Sequence, residues 1–328
     1  MKAAVYRRYG PPNVIQINEV EKPVPNDNQV LIEVRAASVN PYDWHFMRGT
    51  PYLVRIIAGL RKPKDTRLGV DVAGQVEAVG MNVTQFKPGD KVFGSCRGAF
   101  AEYACASESA VVLKPDNVTF EQAASVPIAG FTALQGLRDK GQVQPGQKVL
   151  VNGAGGGVGT FAVQIARSYG ADVTGVCSTG KADMVRSIGA NRVIDYTQED
   201  FTKSGQRYDV FFDAVGNHSL SACRRVLNLK GIYVGAGGTS DPWMIGPLTH
   251  MIAAFGLSRF GSQKFVGLLA RNRQDDLKTM RELMESGKVT PVIDRRYRLS
   301  EVPEAIGYLE EGHARGKVVI SLEGANQT

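Results

Sequence analysis

The sequence VLVNGAGGGVGTFAVQIARSYG, residues 149–170, decides the fold. An apolar segment that predicts a strand, Lys148 to Asn152, leads into a glycine-rich turn at residues 153–159. A strand, a glycine turn and a helix in this order predict a βαβ unit of a parallel sheet. The helix is predicted because apolar side chains recur at the spacing of one helical face, at Val158, Phe161, Ala162, Ile165, Ala166 and Tyr169.

The glycine turn predicts a phosphate-binding site. Glycines allow the sharp turn and let a pyrophosphate approach the helix N-terminus, where free amide groups and the helix dipole favour negative charge. The spacing is G-x-x-G-x-x-G rather than the strict G-x-G-x-x-G, but the turn lies between a strand and a helix, as a dinucleotide site requires. The residues expected to contact the dinucleotide are Gly153, Gly156, Gly157, Val158 and Gly159.

Strands and helices continue to alternate after this unit, which predicts a larger parallel sheet. Ligands of such sheets bind beyond the carboxyl ends of the strands. We therefore expect the turns after two later strands to line the cofactor, through Val215, Gly235 and Gly237. The alternative, about equally supported, is that these are ordinary turn residues. The predicted elements are strands at 172–177, 192–195, 208–213 and 231–235, a helix at 181–188 and a sixth strand near 265–269.

The first third of the chain has a different pattern. Short strand-like segments, such as 30–34, 72–79 and 91–94, are separated by turn formers and predict an antiparallel, barrel-like all-β unit. Residues 121–137 have helical spacing, and a helix at 277–285 precedes a last strand at 317–320. We predict a catalytic domain at 1–122, a dinucleotide-binding domain at 123–265 and a return to the first domain at 266–328.

Composition narrows the function classes. The 328 residues carry 39 Lys and Arg against 32 Asp and Glu, a net charge of +7, but these cations are scattered and predict no nucleic-acid partner.

The four cysteines form no CxxC pair, so a reducing, cytoplasmic location is expected. Because the N-terminus has a strand-like pattern from its first residues, we expect no signal or transit segment. The apolar segment 243–260 is expected to pack at a domain junction or dimer surface, with membrane contact as the less favoured alternative.

The end of the second strand indicates which cofactor is bound. An NAD enzyme places Asp or Glu there to bind the ribose hydroxyls. Here the stretch Cys177 to Lys181 offers hydroxyls and a lysine, which suit a 2′-phosphate. We therefore favour NADPH over NADH. The alternative for Lys181 is a solvated lysine at a helix start.

Motifs spread over nearly the whole chain resemble the medium-chain dehydrogenase/reductase superfamily, in its zinc-free quinone oxidoreductase branch, which includes ζ-crystallin-like proteins and enone reductases. The resemblance implies an α/β protein with a GroES-like β-barrel-type catalytic domain and an inserted Rossmann domain with a doubly wound parallel sheet. It also implies an active site in the cleft between the domains, and a homodimer. The motifs are Ser38–Trp44, Leu68–Gly74, Gly89–Gly94, Gly98–Tyr103, Val126–Ala133, Ser187–Ala190, Val193–Tyr196 and Gly312–Lys317.

The resemblance also implies site residues. Asn40 and Tyr52 would lie near the nicotinamide, with Tyr42 and Asp43 as competing catalytic candidates, and Thr132 would contact the nicotinamide side. The 2′-phosphate would be surrounded by Ser178, Lys181 and Tyr196, and Lys317, which ends the last motif, is assigned to cofactor binding.

No zinc is expected. Zinc alcohol dehydrogenases of the superfamily use a catalytic Cys, a Gly-His-Glu motif and a second Cys. The corresponding positions here read Asn40-Pro41-Tyr42 and Gly69-Val70-Asp71, and the four histidines have no ligand spacing.

The absence of a Lewis acid favours an acceptor that spreads the incoming charge by conjugation. We therefore expect hydride transfer from NADPH to a quinone or to the β-carbon of an enone. The Asn40 amide, a tyrosine hydroxyl or the cofactor ribose would stabilise the oxyanion, and solvent or Tyr52 would supply the proton. The alternatives are a zinc-free alcohol or aldehyde reductase, or a dinucleotide-binding protein with a structural, sensing or membrane-docking role.

Overall fold

The computed structural model describes residues 1–237 and 262–322. The chain divides into two compact units. The first unit comprises Met1–Ile128, Asn272–Gly287 and Pro291–Thr328, and the second comprises Ala129–Arg271 with Lys288–Thr290. The domain bounds predicted from the sequence, at 122–123 and 265–266, stay a prediction; the contacts divide the chain at 128–129 and 271–272.

The strands and helices of the described residues are numbered in chain order. The strands are β1 (Lys2–Tyr6), β2 (Ile15–Glu19), β3 (Gln29–Val39), β4 (Asp71–Val79), β5 (Lys91–Ser95), β6 (Tyr103–Ser107), β7 (Val111–Leu113), β8 (Lys148–Asn152), β9 (Asp172–Cys177), β10 (Arg192–Asp195), β11 (Tyr208–Asp213), β12 (Leu227–Gly235), β13 (Lys264–Gly267), β14 (Ile293–Arg298) and β15 (Lys317–Ser321). The helices are α1 (Pro41–Arg48), α2 (Val54–Ala58), α3 (Phe120–Ala124), α4 (Pro127–Gln135), α5 (Gly157–Ser168), α6 (Ala182–Ser187), α7 (Leu220–Arg225), α8 (Gln274–Glu285) and α9 (Val302–Glu310).

The first unit is built around the long strand β3. Its strand order is β14-β15-β3-β4-β5-β7, antiparallel except for β14 and β15, with β6 also paired to β3. One edge of β3 pairs with β4 along most of its length, while the other edge pairs with β6 at its start and with β15 at its end. Register shifts in the β3–β4 ladder mark bulges, which bend a strand and increase its twist. The last pair, Val39 with Val318, brings the end of β3 beside the start of β15.

The core of the first unit is built from apolar residues of these strands and of the segments beside them. Ile32, Val72 and Val92 of the strands and Phe100 of the loop before β6 are fully buried, and α9 adds Ile306 to the same cluster. Burying each of these side chains stabilises the fold by about 1.5–3 kcal/mol. The predicted antiparallel strands in the first third of the chain are confirmed, but the unit is not all β, because the helices α1, α2 and α3 also lie there.

The second unit contains a parallel sheet in the order β10-β9-β8-β11-β12-β13. In the order of the chain this reads 3-2-1-4-5-6, which is the order of a doubly wound dinucleotide-binding sheet. The direction of winding reverses between β8 and β11, so the loops after these two strands flank the switch point where such sheets bind ligands. The predicted parallel sheet, including its sixth strand, is confirmed.

The predicted helix over 121–137 is wrong as one element. Instead α3 ends at Ala124, α4 begins at Pro127, and a π-helical turn follows at Gly136–Lys140. Pro127 has no backbone N–H to continue the first helix and disfavours helical backbone in the residue before it, but it suits the first position of a new helix.

The apolar segment 243–260 lies outside the described residues. Within the described ranges, 1–237 and 262–322, no helix is long and apolar enough to cross a membrane.

Candidate functional site

The glycine turn forms a cradle at the carboxyl end of β8. Gly153 has a φ of +81°, a backbone conformation that glycine adopts without strain. Its carbonyl oxygen accepts a hydrogen bond of 3.0 Å from the amide of Gly156. A Cβ atom on Gly159 would lie 2.0 Å from that same carbonyl oxygen, so only glycine lets α5 start this close to the strand. The first amides of α5 have no partner within the helix and favour an anion at its N-terminus.

A buried carboxylate holds the neighbouring loop in place. Asp213, the last residue of β11, is fully buried. Its Oδ1 accepts hydrogen bonds from the Asn152 side chain at 3.0 Å and from the backbone amides of Val215 and Gly216 at 3.0 and 2.9 Å. Its Oδ2 accepts one of 2.9 Å from the Tyr233 hydroxyl. The turn after Asp213 was predicted from the sequence but the role of Asp213 was not; an acid at a strand end followed by a glycine turn was the available signal.

This network brings together residues that the sequence assigns to cofactor binding. A Cβ on Gly153 would lie 2.7 Å from Cγ2 of Val215, and one on Gly237 would lie 2.4 Å from the backbone of Ala214. Gly235 ends β12 beside them, and the amide of Gly237 donates to the carbonyl oxygen of Asp213 at 3.0 Å. The loops after β8, β11 and β12 therefore meet at the switch point of the sheet.

The residues predicted to surround a 2′-phosphate also gather at one place. Ser178 follows the end of β9, and the amide of Tyr196 donates to the carbonyl oxygen of Cys177 at 3.1 Å. The stem of Lys181 crosses the glycine turn, since a Cβ on Gly155 would lie 2.7 Å from Cδ of Lys181. Tyr196 is exposed.

An acid that was not predicted from the sequence lies beside this group. Asp195 ends β10 opposite Cys177, and its Oδ2 accepts a hydrogen bond of 2.5 Å from the Thr179 hydroxyl. Its Oδ1 accepts two more from the amide and hydroxyl of Thr197, at 2.9 and 2.8 Å. These hydrogen bonds, that of Thr179 first, lower the pKa of Asp195. An acid was expected only at the end of β9, whereas Asp195 comes from the next strand, β10.

The second group of site residues lies in the first unit, at the end of β3. Asn40, Asp71 and Lys317 are 1%, 0% and 3% exposed. The Asn40 Oδ1 accepts a hydrogen bond of 2.6 Å from the Lys317 ammonium. The Asn40 amide nitrogen donates to Oδ2 of Asp71 at 2.9 Å and to the carbonyl oxygen of Ser38 at 3.2 Å. Both N–H groups of Asn40 are thus engaged, and this arrangement does not support its predicted donation to an oxyanion.

Lys317 faces inward in this structure. Its ammonium also contacts the carbonyl oxygen of Val39 at 3.3 Å and lies 3.9 Å from Oδ2 of Asp71. Burial lowers the pKa of Lys317 and raises that of Asp71, while the attraction between the two charges opposes both shifts. The predicted contact of Lys317 with the cofactor stays a prediction.

Asp43, a predicted catalytic residue, is buried in the first turn of α1. Its Oδ2 accepts a hydrogen bond of 2.8 Å from the backbone amide of Asn40, which fixes the start of the helix. Burial raises the pKa of Asp43 to about 7; hydrogen bonds to its carboxylate and the charge of Lys317 lower it, and the charge of Asp71 raises it.

The predicted tyrosines and Thr132 occupy more open positions. Tyr42 and Tyr52 are 44% and 40% exposed. The Arg55 guanidinium lies 5.0 Å from the centre of the Tyr52 ring, a distance typical of a cation–π contact. Thr132 lies half-buried in α4, and its contact with a nicotinamide stays a prediction.

The residues present do not fit a catalytic zinc. Zinc sites in proteins use Cys, His and carboxylate ligands in close groups. Across residues 1–237 and 262–322, no group of three or more such side chains could hold a metal ion. At the end of β3 a cation already lies against the polar side chains, because Lys317 faces Asn40 and Asp71 there.

Burial raises the pKa of the Cys177 thiol to about 11, which favours its interpretation as a packed strand-end residue.

The raised pKa of Asp43 predicts how stability depends on pH. In the unfolded chain this carboxyl ionises near its ordinary value of about 4, but in the folded chain it keeps its proton up to about pH 7. Folding therefore takes up a proton between these values, and this contribution to stability is lost as the pH rises through that window. We expect wild type to lose on the order of 4 kcal/mol relative to Asp43→Asn between pH 4 and pH 7.5, measured by urea unfolding.

Asp65→Asn is the matched control with the opposite sign. Burial opposes the ionisation of Asp65, but its hydrogen bonds with Arg67 outweigh burial and lower its pKa. The advantage of wild type over Asp65→Asn should therefore grow as the pH rises from 2 to 5. A stability difference between wild type and Asp43→Asn that does not change from pH 4 to 7.5 would contradict the assignment.

Comparison with known proteins identifies the family. The family model described as "Alcohol dehydrogenase GroES-like domain" matches residues 26–116, and the one described as "Zinc-binding dehydrogenase" matches residues 188–320. The chain is 35% identical to the "NADPH-dependent alkenal/one oxidoreductase, chloroplastic" of Arabidopsis thaliana, over 98% of this chain and 79% of that protein. It is 33% identical to the "Quinone oxidoreductase" of Homo sapiens, over 98% of each.

A solved structure supports the same assignment. The quinone oxidoreductase from Coxiella burnetii superimposes with a TM-score of 0.87 at 31% identity, covering 98% of this chain and 99% of that one. The predicted combination of a GroES-like domain with a Rossmann-like domain is thereby confirmed. The chain belongs to the medium-chain dehydrogenase/reductase superfamily, in its quinone oxidoreductase-like branch, and is an oxidoreductase that uses a nicotinamide dinucleotide.

Proposed function

We propose that this oxidoreductase uses NADPH to reduce quinones or α,β-unsaturated carbonyls without zinc. The observation that carries the proposal is the buried contact of the Lys317 ammonium with Asn40 and Asp71. By the family resemblance, Asn40 and Asp71 lie in the two motifs that supply metal ligands in the zinc enzymes of the superfamily. The names of the relatives, an alkenal/one oxidoreductase and quinone oxidoreductases, support the acceptor class.

The preference for NADPH is supported by the loop after β9. Ser178 and Tyr196 offer hydroxyl groups, and Lys181 brings a cation across the glycine turn. A cation beside the adenosine ribose attracts the extra phosphate of NADPH, whereas NADH offers no charge there. Asp195 is the observation that favours NADH, because a carboxylate repels that phosphate. Both oxygens of the Asp195 carboxylate accept hydrogen bonds from Thr179 and Thr197. We therefore assign Asp195 the task of holding this loop in place.

In this proposal, the cofactor-binding residues of the second unit and the site residues of the first unit have separate tasks. When bound, a reduced nicotinamide supplies hydride, and the glycine cradle fixes the dinucleotide by its pyrophosphate. Hydride and one proton together reduce the acceptor, so the chain must also deliver or admit a proton. The partly exposed hydroxyls of Tyr42 and Tyr52 are our candidates for donating to the developing oxyanion, with Tyr52 or solvent as the proton source.

The proposal also covers the location, the oligomeric state and the partners of the enzyme. We infer a cytoplasmic homodimer without a nucleic-acid partner. The scattered cations and the absence of a CxxC pair among the four cysteines support this inference, and the family resemblance supports the dimer.

Substituting Lys181 tests the choice of cofactor. We expect Lys181→Ala to raise the KM for NADPH by about 10- to 100-fold, because one charge-assisted contact contributes about 1.5–3 kcal/mol. The KM for NADH should change less than about twofold. Lys203→Ala removes an exposed lysine from the same unit and is the control. Equal losses with both cofactors would contradict the assignment of Lys181.

Substituting Gly159 tests the cradle. The new Cβ of Gly159→Ala must push α5 away from the carbonyl oxygen of Gly153, which misaligns the amides that face the pyrophosphate. We expect the dissociation constant for NADPH, measured by calorimetry, to rise by about 10- to 100-fold. In Gly267→Ala, the control, the added Cβ meets no atom within 4 Å. Unchanged affinity in a folded Gly159→Ala protein would place the pyrophosphate elsewhere.

A substrate panel tests the acceptor. Purified protein with NADPH should reduce a benzoquinone or an enone at a rate well above that for saturated aldehydes, and treatment with a strong zinc chelator should leave that rate unchanged. Turnover of saturated aldehydes alone would assign the chain to the alcohol and aldehyde reductases of the same fold. Stoichiometric zinc in elemental analysis would contradict the zinc-free mechanism.

A further inference from the structure

A buried ion pair in the first unit contacts the Asn40 side chain. Lys317 and Asp71 are 3.9 Å apart between Nζ and Oδ2, and both are almost completely buried. Placing two charges in such a site costs several kcal/mol in lost solvation, and a buried pair often stabilises a fold no better than apolar residues would. Stability alone therefore gives a weak reason for a lysine at this position.

The geometry points to a second task, because Asn40 lies between the two charges. Its Oδ1 accepts from the ammonium at 2.6 Å, and its Nδ2 donates to Asp71 at 2.9 Å. Turning the carboxamide over would place N–H groups against the ammonium and an oxygen against the carboxylate. Only one orientation of the Asn40 amide is therefore compatible with the pair.

Asn40 in turn determines where α1 begins. It is the residue before the helix, and its backbone amide is held by the Asp43 carboxylate at 2.8 Å. The helix carries Tyr42 on its first turn, and the chain leaves it at Gly49 to reach Tyr52. A change in the position of Asn40 is thus transmitted to both tyrosines that we propose as donors.

We propose that Lys317 is a positioning residue, which orients Asn40 against Asp71 and so fixes the α1 segment that presents Tyr42 and Tyr52. It acts through Asn40 and does not itself bind the cofactor. The proposal rests on the proposed reductase function for its catalytic consequence, but its structural consequence is independent of the acceptor.

The test compares Lys317→Met with the double variant Lys317→Met/Asp71→Asn. The single variant leaves a buried carboxylate without its counter-charge, so its stability should fall. The double variant removes both charges and should recover much of that stability. In both, Asn40 has lost the donor to its Oδ1, so we expect kcat to fall by about 10- to 100-fold, as small misplacements of reacting groups do. The dissociation constant for NADPH should stay within about twofold of wild type.

Lys114→Met is the matched control. Lys114 is a partly buried lysine of the same unit whose ammonium donates to the carbonyl oxygens of Pro115 and Val118, away from Asn40. Its kcat should equal that of wild type.

Hydrogen exchange provides a readout that does not depend on turnover. In the double variant, the backbone amides of the non-proline residues in 41–52 should exchange faster than in wild type, while those of β8 to β13 should be unchanged. If wild type reduces neither quinones nor enones, the proposed function fails, and the exchange experiment still decides the role of Lys317.

Three outcomes would overturn the role of Lys317. Wild-type kcat and exchange in the stable double variant would make the lysine a mere counter-ion. A raised NADPH dissociation constant with unchanged kcat would instead make it a cofactor ligand. If hydrogen exchange at residues 41–52 is unchanged in the double variant, Lys317 does not position this segment through Asn40.

Discussion

The close approach of α5 to β8 is the constraint on which the second unit depends. At Gly159 the helix comes so near the turn that a single added carbon would lie 2.0 Å from the carbonyl oxygen of Gly153. This proximity lets the helix start at the carboxyl edge of the sheet, with its first amides open to an anion. The same edge holds the loops after β11 and β12, and Asp213 ties them to β8 through Asn152. The binding site and the winding of the sheet therefore have one physical origin.

The first unit contains a cluster of buried polar side chains, which must be hydrogen-bonded to one another or to the backbone. Asn40, Asp43, Asp71 and Lys317 all lie below 4% exposure, in a unit whose core consists mainly of apolar side chains. Each of their polar atoms has a partner, since no buried side-chain nitrogen or oxygen in the described residues lacks a hydrogen bond. A network satisfied to this degree is rigid, because any rearrangement leaves a buried group unpaired. Such rigidity would suit our proposal that this segment presents Tyr42 and Tyr52 to the acceptor.

The sequence identified the parts that depend on local pattern. The glycine spacing, the apolar face of α5 and the alternation of strands and helices predicted a parallel sheet with a dinucleotide turn, because each is set by neighbouring residues and by backbone sterics. Pro127 shows the limit of such patterns. The apolar spacing at 121–137 continues across it, but the backbone cannot, so one predicted helix became two.

Contacts between distant residues were decided by the tertiary structure alone. Asp195 meets Thr179 across 16 positions, and Lys317 meets Asn40 across 277, because paired strands bring their ends together. The sequence could name Asn40 as a site residue but could not show that both of its N–H groups are already donated. What the sequence determined by itself is the sheet, the glycine cradle and the family to which the chain belongs. The tertiary structure decided which charges meet and which groups are buried, since pKa values and hydrogen-bond partners depend on neighbours in space and not along the chain.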